Sequence, residues 1–95
     1  MKVVWTDTAL GHLDAIHEYI SRDSSTHARL VVDRLTARSR QIAEFPYSGR
    51  AVPEQEEDRL REVLEGSYRL IYEIHPDRIV VLAVIHGARE LPPLK

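Results

Sequence analysis

Residues 61–89 read REVLEGSYRLIYEIHPDRIVVLAVIHGAR, and this stretch decides the fold. Tyr68, Leu70, Tyr72 and Ile74 alternate with other residues at the two-residue period of a strand, which places them on one face. Ile79, Val80, Val81, Leu82, Ala83, Val84 and Ile85 form an unbroken apolar run of strand length, the pattern of a central strand buried on both faces. Glu65-Gly66-Ser67 and His75-Pro76-Asp77 are compact enough to be hairpin turns, and Leu60-Arg61-Glu62-Val63-Leu64 supplies a strand before them. Three antiparallel strands are therefore expected. If they pair as neighbours, Arg69 inside one strand and Arg89 just beyond His86-Gly87 approach the same end of the sheet. Arginine stays charged and offers a planar fork of donors, so such a pair suits a carboxylate or a phosphate.

Toward the N-terminus, Lys2-Val3-Val4-Trp5 reads as a short strand, and Thr6 with Asp7 offers a helix N-cap. Ala9, Leu13, Ile16 and Ile20 recur at helical spacing and leave Asp14, Glu18 and Arg22 for water. Asp23-Ser24-Ser25-Thr26 interrupts the pattern with new capping side chains, after which Ala28, Val31, Leu35 and Ile42 mark a second, longer helix. So short a connection predicts an antiparallel helical hairpin, covering one face of the sheet. Phe45-Pro46-Tyr47-Ser48-Gly49-Arg50 ends the second helix, and a loop through Val52-Pro53 leads to the strands. The expected order is β-α-α-β-β-β, an α+β domain spanning residues 1–95.

Composition sets the outer limits. With 95 residues the chain fits one small domain, whose stability is modest and which a partner subunit would help. Cysteine is absent, which excludes disulfides and thiolate metal sites and agrees with a reducing cytoplasm, the expected location. Met1–Trp5 is too short for a signal peptide before Asp7, and no apolar run approaches the ~20 residues of a membrane span. Thirteen basic against fifteen acidic residues give a formal net charge of -2, which argues against a general phosphate-backbone binder. Apart from Lys2 and Lys95 every basic side chain is arginine, the type favoured at bidentate and interfacial contacts. Glu54-Gln55-Glu56-Glu57-Asp58 reads as a solvated acidic loop, and Arg34, Arg38 and Arg40 as a solvated helix face.

The aromatic and imidazole side chains have plain structural readings beside functional ones. Tyr47, Tyr68 and Tyr72 are able to stack a base, but packing in the core or on a half-buried strand accounts for them more simply. Trp5 reads as a helix-packing anchor. His12, His17, His27 and His75 fall on polar helix positions or in turns; His12 and His17 are five apart, on different helix faces, and build no zinc site. His86 either closes its strand at the Gly87 turn or acts as an acid/base. Arg50 either pairs with Glu54 or Glu62 or points to a partner.

Several short motifs, taken in order, carry a resemblance across nearly the whole chain. They are Trp5 to Ala9 leading to Leu13-x-x-Ile16-x-x-Tyr19-Ile20, the Phe45-Pro-x-x-Gly49-Arg50 turn with Val52-Pro53-Glu54, Arg61-Glu62, Tyr68-Arg69-Leu70-Ile71-Tyr72, and Val84-Ile85-His86-Gly87-x-Arg89. In this order they resemble the RelE/ParE superfamily of toxins from type II toxin–antitoxin modules. The resemblance implies a helical hairpin packed on a twisted antiparallel sheet, growth inhibition by the free toxin, and neutralisation by a cognate antitoxin. It also implies that toxin and antitoxin associate further, commonly into heterotetramers, and that no cofactor or metal takes part.

Two branches share this fold. ParE-like members bind DNA gyrase, whereas RelE-like members are metal-independent endoribonucleases that cut messenger RNA on the ribosome. For a ribonuclease the resemblance points to Arg61, Arg69, His86 and Arg89 as catalytic; for protein contacts it points to Arg50, Arg61, Arg69 and Arg89 as the surface that meets antitoxin or target. Attack by a 2'-hydroxyl needs a base, cations for the phosphorane and an acid for the leaving oxygen. After Arg89 the chain offers only Glu90 and then Leu91-Pro92-Pro93-Leu94-Lys95, with no tail tyrosine. Where paired lysines would stand it has Arg59 and Arg61, whose pKa is too high for a base. The sequence favours the gyrase-binding branch, with the endoribonuclease as the alternative.

Overall fold

The structure is a computed structural model; it describes residues 1–87 and Arg89. Glu90 and the Leu91–Lys95 tail, which offers neither an aromatic acid nor a tyrosine, lie outside the described residues.

Strand β1 (Lys2–Trp5) leads into helix α1 (Asp7–Ser21), which is followed by α2 (Ser25–Glu44), a 3-10 turn (Pro46–Ser48), β2 (Arg50–Ala51), β3 (Leu60–Glu65), β4 (Tyr68–Ile74) and β5 (Arg78–His86). The helix starts follow their caps: Thr6 Oγ1 accepts from the Ala9 N–H at 3.0 Å, and Ser24 Oγ accepts from the His27 N–H at 3.1 Å. The sheet runs β1-β5-β4-β3-β2. The meander β3-β4-β5 is antiparallel as expected, and β1 adds to it parallel to β5. Two residues, Arg50 and Ala51, form a fifth strand against Glu62 and Arg61 of β3, where a plain loop was expected.

The apolar run of β5 is explained by a bulge. Tyr72 pairs with Val81 while the adjacent Ile71 pairs with Ala83, so Leu82 is an extra residue. The alternation therefore slips by one. Ile79, Val81 and Val84 face the helices, whereas Ala83 and Ile85 face the other way. The helix-side core joins them to Leu13, Leu35, Ile42, Val63, Leu70 and Tyr72, with Trp5 packed at its margin. On the far side Val52, from the segment after β2, buries Leu60, Ile71, Ala83 and Ile85. Thus the helical hairpin covers one face and the loop residue Val52 helps cover the other.

His12 does more than sit on a polar helix position: its Nδ1 accepts from the Val84 N–H at 3.2 Å, just past the bulge. The acidic stretch is also not wholly solvated, because Glu54 turns back onto the sheet. Tyr72 is fully buried and Tyr68 half-buried, as strand packing predicts, but Tyr47 is exposed beyond the end of the core.

Candidate functional site

Alternation along β4 puts Arg69 on the face away from the helices, opposite Leu64 of β3 and Ile85 of β5. The same rule puts Glu62 of β3 on that face between Leu60 and Leu64, and registers it against Arg50 of β2. The side chains meet as a chain of ion pairs. Arg69 Nε donates to Glu62 Oε1 at 2.8 Å, while Nη1 and Nη2 donate to the two oxygens of Glu54 at 2.9 and 2.7 Å. Nη1 also donates to the Arg89 carbonyl at 3.1 Å. Glu62 is fully buried, and its second oxygen accepts from Arg50 Nε at 2.6 Å.

Arg50, Glu62, Arg69 and Glu54 together carry two charges of each sign, so the network is neutral. That balance is what makes burial of Glu62 and Arg69 tolerable, since an unpaired charge there would be very costly. The hydrogen bonds that Arg69 donates to Glu54 hold its pKa further above the already high range of a guanidinium, against the opposing effect of burial and with Glu62 adding to them. Arg69 is a permanent cation whose fork is directed at the protein's own carboxylates.

Above this network lies an open cleft of about 580 Å³, lined by Arg50, Glu54, Leu64, Arg69, His86 and Arg89 among others. The β3-β4 turn forms one wall. Gly66 takes φ +57°, a conformation that costs other residues and that fits the first position of a two-residue hairpin loop. Gly87 donates to the Ser67 carbonyl at 2.7 Å and ties that turn to the end of β5. His86 stands opposite Tyr68 in register, its ring edge-to-face with the tyrosine at 5.9 Å. The Arg50 side chain is more than half exposed and Arg89 is exposed, so both stand at the accessible rim, Arg50 with its charge already matched within the neutral network.

Four of the five arginine and histidine positions singled out from the sequence thus line this cleft, Arg50, Arg69, His86 and Arg89, although the His86 ring turns to Tyr68 on the helix side of the sheet. Arg61 does not join them. It points through to the helix side of β3, where Nε donates to the Asp58 carbonyl at 2.8 Å, Nη2 to Asp58 Oδ1 at 2.6 Å, and the guanidinium lies 5.1 Å from the centre of the Tyr47 ring. The sequence reading of the site did not include Glu54 and Glu62 as the partners of Arg69. A signal for Glu62 was present: it shares a strand face with Leu60 and Leu64, and a carboxylate at such a position calls for a cation. Among the described residues no group of three or more His, Cys, Asp or Glu is placed to hold a metal ion.

A family model for the ParE toxin of type II toxin–antitoxin systems matches residues 3–91. The toxin RelE2 of Caulobacter vibrioides is 33% identical over 89 residues, 93% of this chain and 97% of the relative. The Y4kP protein of Sinorhizobium fredii is 34% identical over 92 residues, 96% of this chain and 93% of the relative. In fold, the chain resembles a component of the chromosomal ParDE system of P. aeruginosa, with a TM-score of 0.75 and 21% identity over 90% of this chain and 95% of that one. It also resembles a chain of the toxin–antitoxin complex RelBE2 of Mycobacterium tuberculosis, with a TM-score of 0.65, 21% identity and the same two shares of chain length, 90% and 95%.

Proposed function

Because this chain belongs to the ParE toxin family of type II toxin–antitoxin systems, we propose that it arrests growth by binding DNA gyrase and that a cognate antitoxin neutralises it in the cytoplasm. The observation that carries the choice of target is the occupancy of Arg69. A phosphorane is stabilised by donors already aimed at the place where its charge develops. Here the Arg69 donors are aimed at Glu54 and Glu62, and freeing them would take from the buried Glu62 its buried cation and leave it to Arg50. A protein surface asks for less: Arg50 and Arg89 at the rim, around an apolar wall at Leu64, suit a carboxylate-bearing chain.

That cleft is the expected seat of the antitoxin. A disordered acidic segment that orders on binding would lay carboxylates against Arg50 and Arg89 and cover the half-exposed Leu64. ParDE and RelBE2, the systems to which the two structural neighbours belong, are toxin–antitoxin assemblies, which supports an antitoxin as partner, with a heterotetramer as the expected form.

One observation favours the second reading, a ribosome-dependent endoribonuclease: His86 and Arg89 stand in the same cleft as Arg69. The two readings separate in one pair of assays. Excess folded protein is expected to inhibit supercoiling by purified gyrase and to leave messenger RNA intact. Unimpaired supercoiling, together with messenger cleavage that His86→Ala or Arg89→Ala abolishes, would transfer the assignment to the ribonuclease.

A further inference from the structure

Arg69 is held by two carboxylates of unlike standing. Glu62 takes it from the side: its Oε1 lies 2.8 Å from Nε and 2.6 Å from Nη2, and its side chain is 0% exposed within β3. Glu54 takes it end-on, one oxygen on each Nη, and its side chain is 30% exposed on the loop between β2 and β3. That loop is anchored at the buried Val52 and Leu60 and closed by its own backbone, with Gln55 donating to the Val52 carbonyl and Leu60 to that of Glu57. Rotation about the side-chain bonds of Glu54 therefore carries its carboxylate into water without refolding the loop. Glu62 has no such exit.

Departure of Glu54 alone would be costly. It would leave Arg50 and Arg69 against Glu62, one positive charge in excess beside a guanidinium that is itself nearly buried. Departure in exchange for another carboxylate keeps the charge balance, the end-on geometry and the pair that Arg69 makes with Glu62. The present occupant thus defines the incoming one: two coplanar oxygens on the two Nη groups, entering from the open cleft. A free carboxylate in solution competes poorly, because the loop holds Glu54 beside Arg69 at a high effective concentration. A segment already lodged against Leu64 and Pro53 brings its own acid at a comparable one.

We infer that Glu54 is an internal stand-in for a carboxylate of the antitoxin, and that binding exchanges the two on the Nη edge of Arg69. An Asp or Glu side chain of the antitoxin takes the end-on position while Glu54 turns out to water. The inference rests on the reading of the cleft as the seat of the antitoxin. It adds that Arg69 selects a seated acidic segment over small anions, and that Glu54 sets how tightly the segment binds.

Calorimetric titration of the purified toxin by its antitoxin tests the exchange. Glu54→Gln keeps the shape of the side chain and removes the competing charge, so the antitoxin is expected to bind about tenfold more tightly. Glu57→Gln, on the same loop and in no ion pair among the described residues, should change affinity by less than about twofold. A second arm uses acetate alone. Against chloride at equal ionic strength, acetate is expected to raise the melting temperature of Glu54→Ala by about 4 °C or more and that of the parent by less than about 1 °C. Should Glu54→Ala fail to fold, the titrations with Glu54→Gln decide alone. Equal or weaker antitoxin binding by Glu54→Gln overturns the inference. If Arg50→Glu with Arg89→Glu still weakens binding in that case, the antitoxin keeps the cleft and only the exchange falls. If the double reversal is also without effect, the reading of the cleft falls with it. Stabilisation of Glu54→Ala by inorganic phosphate and not by acetate overturns the inference in favour of a nucleic-acid backbone.

Discussion

Arg69 and Glu62 face one another across β3 and β4 at 2.6 Å, their side chains only 7% and 0% exposed. Neither survives alone in such a place. Arg69→Ala is expected to lower stability by about 1.5–3 kcal/mol, because it removes the buried cation from Glu62 and leaves that carboxylate to the half-exposed Arg50. Arg69→Met combined with Glu62→Leu should recover most of that loss. Urea unfolding of the three variants checks both statements, and near-parental stability of Arg69→Ala would show that water reaches the pair.

Tyr72→Phe removes the hydroxyl that joins Pro46 to Gly49 and is expected to cost about 1–3 kcal/mol, since both backbone groups lose a partner at a buried position. A pH signature accompanies it. Burial raises the Tyr72 pKa above its ordinary value, so the folded state holds this proton more tightly than the unfolded chain does. The resulting stability is complete below about pH 10, the unfolded value, and is lost as pH rises through the folded value. Thermal melts from neutral to strongly alkaline pH should fall more gently above that point in Tyr72→Phe than in the parent.

Two glycines are required for different reasons. Gly66 lies at φ +57° with open space around it, so Gly66→Ala costs about 1–2 kcal/mol in backbone conformation alone. Gly49 has an ordinary φ of -74°, but a Cβ there would come 2.7 Å from the Glu62 carbonyl and closer still to the Tyr72 hydroxyl. Gly49→Ala is expected to cost about 1–3 kcal/mol through displacement of the turn, and to disturb the Tyr72 hydrogen bonds that Gly66→Ala leaves intact. Chemical-shift changes near Pro46 in the first variant and not in the second would distinguish these causes.

Charge reversal at the rim of the cleft, Arg50→Glu with Arg89→Glu, is expected to weaken antitoxin binding by about a hundredfold, through lost pairing and new repulsion. Lys2→Glu, at the opposite edge of the sheet, should change it by less than about twofold. Titration calorimetry at two salt concentrations measures both effects, and a free-energy loss in Lys2→Glu about half that of the double reversal would mean that only net charge matters.

The strands and helices were legible because each carries its own period. Tyr68 to Ile74 alternates, Ala9 to Ile20 and Ala28 to Ile42 repeat at helical spacing, and Thr6 and Ser24 sit where caps are needed. What escaped has no local signature. Arg50–Ala51 is too short to show alternation, and the Leu82 bulge is hidden in a run that is apolar throughout. Parallel pairing of β1 with β5 joins residues more than 70 positions apart. The site was readable as a set of arginines at one end of the sheet, but not which of them were already occupied. Alternation separates Arg61 from Arg69 only once the pairing register is known, and Glu54 looked like its acidic neighbours until the loop was seen to fold over Arg69.

The walled-in position of Glu62 bears on how such a chain could ever change trade. An exposed guanidinium can be lent to a new substrate by trimming its neighbours, but this one is mortared between acids, one of which no water touches. A lineage that came to cut RNA from this starting point would need to replace acid and cation together, or pass through an intermediate too frail to persist.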